Sequence, residues 1–383
     1  MSKVSISKCA SYDEQQLDVS LRQALSPIGG MKAFVRPGQK VLLKINALME
    51  CDPGSAIVTH PQFTKAVAKL VINAGGIPFI GDNPGNAGAD SVKVIESIGY
   101  KKIADELGIK IANLQKDGAA TFLPKIGDRR AAIHISKTLL EADVVINLPK
   151  LKTHMLMLYT GAVKNMFGAV PGFNKSKLHF LLPGPKEFAK TIVEIYSITK
   201  PSLNIMDAVI SMEGNGPAGG TPRKTGLILA SGDGVALDAV AASAIGFNEG
   251  DILTTSVAGR HKIGESSLRR IQISGSRLED IRIKDFKKPA SAHGLMKAIP
   301  GFIYSLARPL LNMVKILPII DAEKCRACLA CVKNCPAKCI TVKKGEAYAI
   351  DHKMCIMCFC CHELCPYDAI ALKKSFLARM FIR

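Results

Sequence analysis

The sequence predicts an α/β layered domain with a mostly parallel sheet, followed by a small cysteine-rich α+β unit. Three observations predict it. Short apolar runs alternate with helical stretches over residues 1 to 288. Those runs are followed by polar or charged residues. Ten of the twelve cysteines crowd between Cys325 and Cys365. A chain of 383 residues exceeds one ordinary domain. Its 48% apolar and 22% charged residues are a globular composition and exclude a disordered tail. The expected order is an α/β domain over 1–288, an amphipathic basic linker over 289–320, a cysteine-rich domain over 321–372 and a basic tail over 373–383.

The elements follow in order. Val41-Leu42-Leu43 reads as a buried strand. Residues 61–74 read as a helix, opened by Pro61 and stopped by Gly75. Ile77–Ile80, Val144–Ile146, Leu203–Met206 and Leu227–Ala230 are further strands, and 186–199 and 234–245 further helices. Strand and helix in alternation indicate a parallel sheet with helical layers.

Ligands of open parallel sheets bind beyond the carboxyl ends of the strands. Lys44 and Asn46 follow the first strand, and Asp82 and Asn83 the second. Asn147, Lys150, Lys152 and His154 follow the third, Asp207 and Glu213 the fourth, Ser231 and Asp233 the last. The run from Asn147 to Asn174 holds Lys150, Lys152, His154 and Lys164 and no acid, which suits a carboxylate or phosphate ligand. Gly161 opens a helix at Ala162-Val163-Lys164-Asn165, whose N–H groups are expected to face that anion. The substrate-binding candidates are therefore Lys44, Asn46, Lys150, Lys152, Lys164, Asn165, Glu213 and Asp233. His154 and Asp82 are the candidates for proton exchange. Gly214-Asn215-Gly216-Pro217-Ala218-Gly219 satisfies G-x-G-x-x-G, but Pro217 interrupts it and a strand follows, so a turn over the crevice is expected rather than a dinucleotide site. Asp233 reads as a helix cap, and Asp238 as a surface charge.

Cys325, Cys328, Cys331 and Cys335 follow C-x2-C-x2-C-x3-C with Pro336 next. Cys355, Cys358, Cys361 and Cys365 repeat the pattern with Pro366 next. The doubled motif resembles the bacterial two-cluster ferredoxins. In that pattern the fourth cysteine of each motif ligates the other cluster. Cys325, Cys328, Cys331 and Cys365 are the expected ligands of one [4Fe-4S] cluster, and Cys355, Cys358, Cys361 and Cys335 of the other. Zinc also takes paired C-x2-C motifs, but the third cysteine and the C-P ending depart from a zinc ribbon. Cys358 to His362 contains C-x-x-C-H, a haem attachment pattern, yet the cluster motif already uses both thiols. Cys339 and Cys360 fall outside the motifs and read as packing thiols.

KINALM (44–49), THP (59–61), GDNPG (81–85), NLPKLKTH (147–154), TGAVKNMFG (160–168), MEGNGP (212–217) and SGDGVALDA (231–239) together resemble the family called domain of unknown function 362, in its form fused to a two-cluster ferredoxin. The family form usually has Pro beside Asn in the first stretch, where Ile45-Asn46 stands here, and Asp-Pro in the last, where Asp233-Gly234 stands. The resemblance implies an iron–sulfur protein with an α/β domain of unestablished activity, and supplies no substrate.

The expected function is a ferredoxin-coupled oxidoreductase, passing single electrons through two clusters to an anionic small molecule. The alternative is a non-catalytic carrier or assembly factor whose first domain only docks a partner or metabolite. A redox partner protein is expected in either case, and a flavin in the crevice stays open as a further cofactor although no motif indicates one. The N-terminus has no apolar signal core, so a reducing cytoplasm is the expected compartment. Formal charge is +19, but the basic residues are dispersed and aromatics are 5%, which disfavours nucleic acid. Ile299, Phe302, Ile303, Leu306, Leu310, Val314 and Leu317 recur at helical spacing in a segment without acids. That segment and the tail KKSFLARMFIR would suit peripheral contact with an anionic membrane face.

Overall fold

A computed structural model describes residues 1–126, 129–182, 184–290, 316–341 and 348–375. The first strand, β1 (Ser2–Lys8), precedes α1 (Glu14–Leu25), whose N-cap Asp13 accepts the Gln16 N–H. Then come β2 (Lys40–Lys44), α2 (Pro61–Asn73), β3 (Ile77–Gly81) and the short β4 (Lys110–Ile111). Pro61 at the first turn costs α2 no hydrogen bond, because that N–H has no intrahelical partner. Gly75, at φ +87°, turns the chain out of the helix as expected.

Next are β5 (Val144–Asn147), β6 (Lys150–His154) and β7 (Leu158–Thr160). Three helices follow: α3 (Ala162–Asn165), α4 (Asn174–Leu181) and α5 (Pro185–Thr199). The long strands β8 (Leu203–Asn215) and β9 (Gly219–Ser231), α6 (Gly234–Ala244) and β10 (Ile271–Gly275) complete the sheet.

The ten strands order as β10-β1-β9-β8-β5-β2-β3-β4, with β6 pairing β8 and β7 pairing β6. All contacts along β8-β5-β2-β3-β4 are parallel. Val41 and Leu43 of β2 pack into the core under α1 and α2, while Leu42 packs into the core on the opposite face. That alternation is the signature of a strand buried on both sides.

The sequence reading treats 203–206 and 227–230 as separate short strands. They are instead the paired ends of one antiparallel hairpin, joined by a tight turn with a cis Gly216–Pro217 bond. A parallel pair would need a crossover of about a dozen residues or more, and this turn is far shorter. The antiparallel course carries Asp233 away from the carboxyl ends of β2, β3 and β5.

Asp238 is fully buried rather than on the surface. It accepts the N–H groups of Ala162 (2.6 Å) and Val163 (2.9 Å) and the Tyr159 hydroxyl (3.2 Å). The N-terminus of α3 is thus capped by the chain's own carboxyl and does not face a ligand. Gly161 makes the approach possible, since a Cβ there would lie 2.0 Å from Asp238 Oδ1. Burial raises the Asp238 pKa to about 7, against the three donors that lower it. A carboxyl raised in the fold favours folding at low pH and costs stability as pH climbs from about 4 to about 7. Asp238→Asn is therefore expected to lose less stability than the parent across that window, read as urea midpoints at several pH values. Parallel pH profiles would refute the assignment.

The C-terminal unit starts with β11 (Ile316–Ile320), which pairs antiparallel with its last strand, β14 (Ile370–Lys374). Between them lie α7 (Ala330–Asn334), the strand pair β12 (Ile340–Thr341) and β13 (Ala349–Ile350), and α8 (Cys360–Glu363). Leu317 therefore belongs to a strand and not to the expected helix, in keeping with Pro318, which cannot supply a helical N–H. Lys373 and Lys374 likewise close β14 rather than begin a free tail. The rest of the expected amphipathic linker and tail, 291–315 and 376–383, lies outside the described residues. Among the described residues no helix is long and apolar enough to cross a membrane.

Candidate functional site

The carboxyl ends of β2, β3 and β5 meet, with Lys44 opposite both Gly81 and Asn147. Lys44 turns inward, where its Nζ pairs with Asp82 Oδ1 at 2.7 Å and donates to the carbonyls of Ile45 (2.7 Å) and Asn165 (3.1 Å). Burial lowers its pKa, and Asp82 opposes that. Asp82 also accepts the Ala47 and Asn83 N–H groups. Gly168 closes over this pair, and a Cβ there would lie 2.1 Å from Asp82 Oδ1. Lys44 is thereby committed to Asp82, which lines the floor of an adjoining cleft.

Strand alternation sets Lys150, Lys152 and His154 on one face of β6. Lys150 is spent internally on Asp207 (2.9 Å) and the Tyr12 hydroxyl (2.8 Å), beneath a Tyr12–His60 stack. Lys152 donates to Asn46 Oδ1 (2.8 Å) and the Ile57 carbonyl (2.5 Å). Desolvation, reinforced by Lys164, lowers its pKa to about 7. Asn46 passes the chain on to Asn165 (2.9 Å), Asn165 to Asn147 (2.7 Å), and Asn147 to Asn204 (2.9 Å).

His154 is buried behind the cleft. Its Nδ1 accepts from the Leu156 and Met157 N–H groups, which leaves the proton on Nε2. Nε2 stands 3.1 Å from Glu363 Oε1, close in distance but misaligned as a hydrogen bond. Desolvation and the neighbouring lysines hold the ring well below its ordinary pKa, so it is neutral.

The cleft, counted together with the open solvent at its mouth, spans about 740 Å³. Asn46, Asp82, Lys152, Lys164 and Asn165 of the expected set line it. Lys44, Lys150 and His154 stand behind its wall. Glu213 instead holds the Lys287 N–H (3.1 Å), and Asp233 caps α6 and binds Ser2, so neither lies in the cleft. Pro217 of the hairpin turn does line it, which is the role expected for the glycine-rich loop.

Several lining residues are not foreseen from the sequence. Lys175 clamps the carbonyls of Asn83 and Pro84, and desolvation lowers its pKa to about 7. His179 stacks on Phe188 at 4.1 Å and is lowered by burial to about 3. The far wall comes from the C-terminal unit: Asn334, Cys360, Glu363 and Leu364. Asn334 fastens that unit to the Ala87 N–H (3.0 Å) and to Asn86 (2.9 Å). Cys360, read as a packing thiol, thus faces the cleft. Burial raises the Glu363 pKa, and Lys164 and Lys152 pull it back.

The Lys164 ammonium has no hydrogen-bond partner and no ion pair within 4.0 Å among the described residues, although its carbonyl accepts the Met166 N–H. Desolvation lowers its pKa, while Glu363 and Cys360 raise it.

The two cysteine motifs superpose at an offset of 30 residues along the chain. Ala327 and Met357 share φ 53°, and Leu329 (63°) matches Phe359 (61°). Lys338 (49°) matches Asp368 (48°). Such non-glycine left-handed residues are costly and turn successive N–H groups toward one side of the loop. Cys325, Cys328, Cys331 and Cys365 line one small cavity. The Cys331 thiol is raised to about 11 by burial and then by those same three thiols. Cys355 neighbours Cys358 and Cys335, and Cys361 neighbours Cys358 and Cys355. Cys339 lies 3.5 Å from Cys335. Among the described residues no three of these donors converge as a site for one metal ion. A cubane asks for a different arrangement, one thiolate at each of four corners.

Three likenesses to known proteins bear on this fold. A thylakoid-associated protein of Synechocystis sp. is 40% identical over 262 residues, which is 68% of this chain and 79% of that protein. The lactate racemase apoprotein of Thermoanaerobacterium thermosaccharolyticum aligns at TM-score 0.37 and 9% identity, over 62% of this chain and 55% of that one. A protein from Thermotoga maritima aligns at TM-score 0.37 and 12% identity, over 59% and 57%. Residues 41–243, which carry β2 through most of α6, match the family model described as Domain of unknown function (DUF362), and the chain belongs to that family.

Proposed function

We propose that the protein is an iron–sulfur oxidoreductase. In this reading the C-terminal unit delivers single electrons to a small anionic molecule bound in the cleft. One observation carries it: Cys360, Glu363 and Leu364, from within the second cysteine motif, share a cleft with Lys152, Lys164 and Asn46. A carrier whose first domain only docks partners would not need a charged cleft against its redox unit.

The residues fit two cubanes. The doubled donor set has the ferredoxin spacing, and six paired left-handed residues form loops that present N–H groups to an anionic centre. Cys325, Cys328, Cys331 and Cys365 would hold one cluster, and Cys335, Cys355, Cys358 and Cys361 the other. The clusters, when bound, supply one-electron transfer. Lys164 then attracts the anion, and Asn46 and Asn165 hold Lys152 at the wall. Glu363 is placed to hold a proton, with the neutral His154 ring beside it behind the wall. Cys328 is exposed, whereas its counterpart Cys358 is half-buried, and Cys360 beside it is buried against the cleft. The first cysteine motif would therefore be the side open to a redox partner protein, and the second the side that faces the cleft. The thylakoid association of the relative, with the +19 charge here, supports peripheral contact with an anionic membrane face.

Native mass spectrometry on protein purified without oxygen tests the reading, with polypeptide plus two clusters expected. Zinc in their place would sink it. Lys164→Met should keep both clusters and lower the midpoint potential of the one nearer the cleft, because a nearby cation favours the reduced state. Unchanged potentials would remove Lys164 from the redox site.

A further inference from the structure

Among the described residues, six buried side-chain polar atoms lack a hydrogen-bond partner, and three belong to this one cleft: Asn83 Oδ1, Thr160 Oγ1 and Glu363 Oε1. Buried polar atoms are nearly always satisfied, so such a concentration marks a place where a ligand completes the bonding. Glu363 Oε1 has the His154 ring beside it. The other two have nothing. Asn83 and Thr160 are each 3% exposed. The Asn83 amide cannot be turned to remedy this, because its Nδ2 donates to the Gly168 carbonyl at 2.8 Å. Its oxygen thus calls for a donor on the ligand. Thr160 offers a hydroxyl that can donate or accept.

The charges narrow the ligand further. Lys44 and Lys150 are paired with carboxylates, while Lys152 and Lys175 each give two of their three N–H groups to carbonyl or amide oxygens. Lys164 alone among the five presents an ammonium without a hydrogen bond, so a single negative charge matches the site better than a dianion.

We propose that the cleft binds a small monocarboxylate bearing a neighbouring hydroxyl or amino group, with the carboxylate on Lys164 and the donor on Asn83 Oδ1. This gives a chemical class to the anion of the proposed function. It rests on that reading for the place of the ligand, and needs no cluster for its binding.

Isothermal titration of the full chain, purified without oxygen, tests it with acetate, glycolate, glycolamide and inorganic phosphate. Glycolate is expected to bind about tenfold tighter than acetate, through the added donor. Glycolamide, which lacks the charge, should not bind. Lys164→Met should weaken glycolate at least about tenfold, and should not endanger folding because Lys164 is only partly buried and its ammonium holds no other part of the chain. Asn83→Ala should bring glycolate down to the level of acetate and leave acetate unchanged. The glycolate-to-acetate ratio of the parent decides the matter even where a variant folds poorly. Equal affinities for the two acids, binding of glycolamide, or a preference for phosphate would overturn the proposal. Such a failure with clusters present in the electron paramagnetic resonance spectrum leaves the electron-transfer reading standing. Glycolate binding without clusters would sink that reading and leave this one.

Discussion

In the proposed iron–sulfur reading, Cys365→Ser is expected to remove the cluster of the first cysteine motif, although Cys365 belongs to the second. Iron should fall from about eight to about four atoms per chain. The reason is spatial. Cys365 lines the cavity of Cys325, Cys328 and Cys331, and the Ala369 N–H donates to its sulfur at 3.2 Å. The cluster that remains would be held by Cys335, Cys355, Cys358 and Cys361, beside the cleft. Its midpoint should still respond to Lys164→Met. If each motif instead closed on its own fourth cysteine, Cys365→Ser would delete the cluster next to the cleft. The surviving signal would then ignore Lys164. Iron analysis with redox-poised spectra of the single and double variants separates the two outcomes.

Asp82→Ala is expected to cost about 3–5 kcal/mol of stability, the cost of stranding one member of a buried ion pair. Lys44 and Asp82 are 0% and 3% exposed at the side chain, with 2.7 Å between charged atoms. Without Asp82 the ammonium keeps two carbonyl partners and no counter-charge. The Ala47 and Asn83 N–H groups lose their acceptor as well. Total stabilities are about 5–15 kcal/mol, so the loss is a large fraction of the whole. The double change Lys44→Met with Asp82→Leu removes both charges and should recover a large part of the loss. Urea midpoints of the parent, single and double variants provide the check. A double variant as unstable as the single one would show that packing under Gly168, rather than the stranded charge, dominates.

The parts of the fold legible in the sequence are those whose side chains share one environment along their length. Val41–Leu43 and Val144–Ile146 are buried on both faces and read as unbroken apolar runs. The β8–β9 hairpin is not legible as such. The Gly219–Gly226 half of β9 is largely exposed, and its Thr221, Arg223 and Lys224 resemble a loop. The same physics divides the site. Lys152, Lys164 and Asn46 could be expected at one place, because they follow neighbouring parallel strands. Glu363, Asn334 and Cys360 could not, because they reach the cleft only through docking of the cysteine unit, which no local pattern encodes. Lys44, Lys150 and Glu213 look identical in sequence to ligand-binding residues, and only the fold shows that Asp82, Asp207 and the 287 backbone occupy them.

The asparagine series beside the cleft runs one way. Lys152, which only donates when charged, feeds the oxygen of Asn46; each amide nitrogen then feeds the next oxygen, and the last, Asn204, donates to the Ser231 carbonyl, which can only accept. With a fixed donor at one end and a fixed acceptor at the other, no single amide can rotate without setting oxygen against oxygen. The four turn together or not at all, like a latch with one closed position. A carboxylate in place of any one of them has no N–H to pass on, so a change of one atom at Asn165 or Asn147 would be felt at Lys152 through bonds that neither residue makes to it.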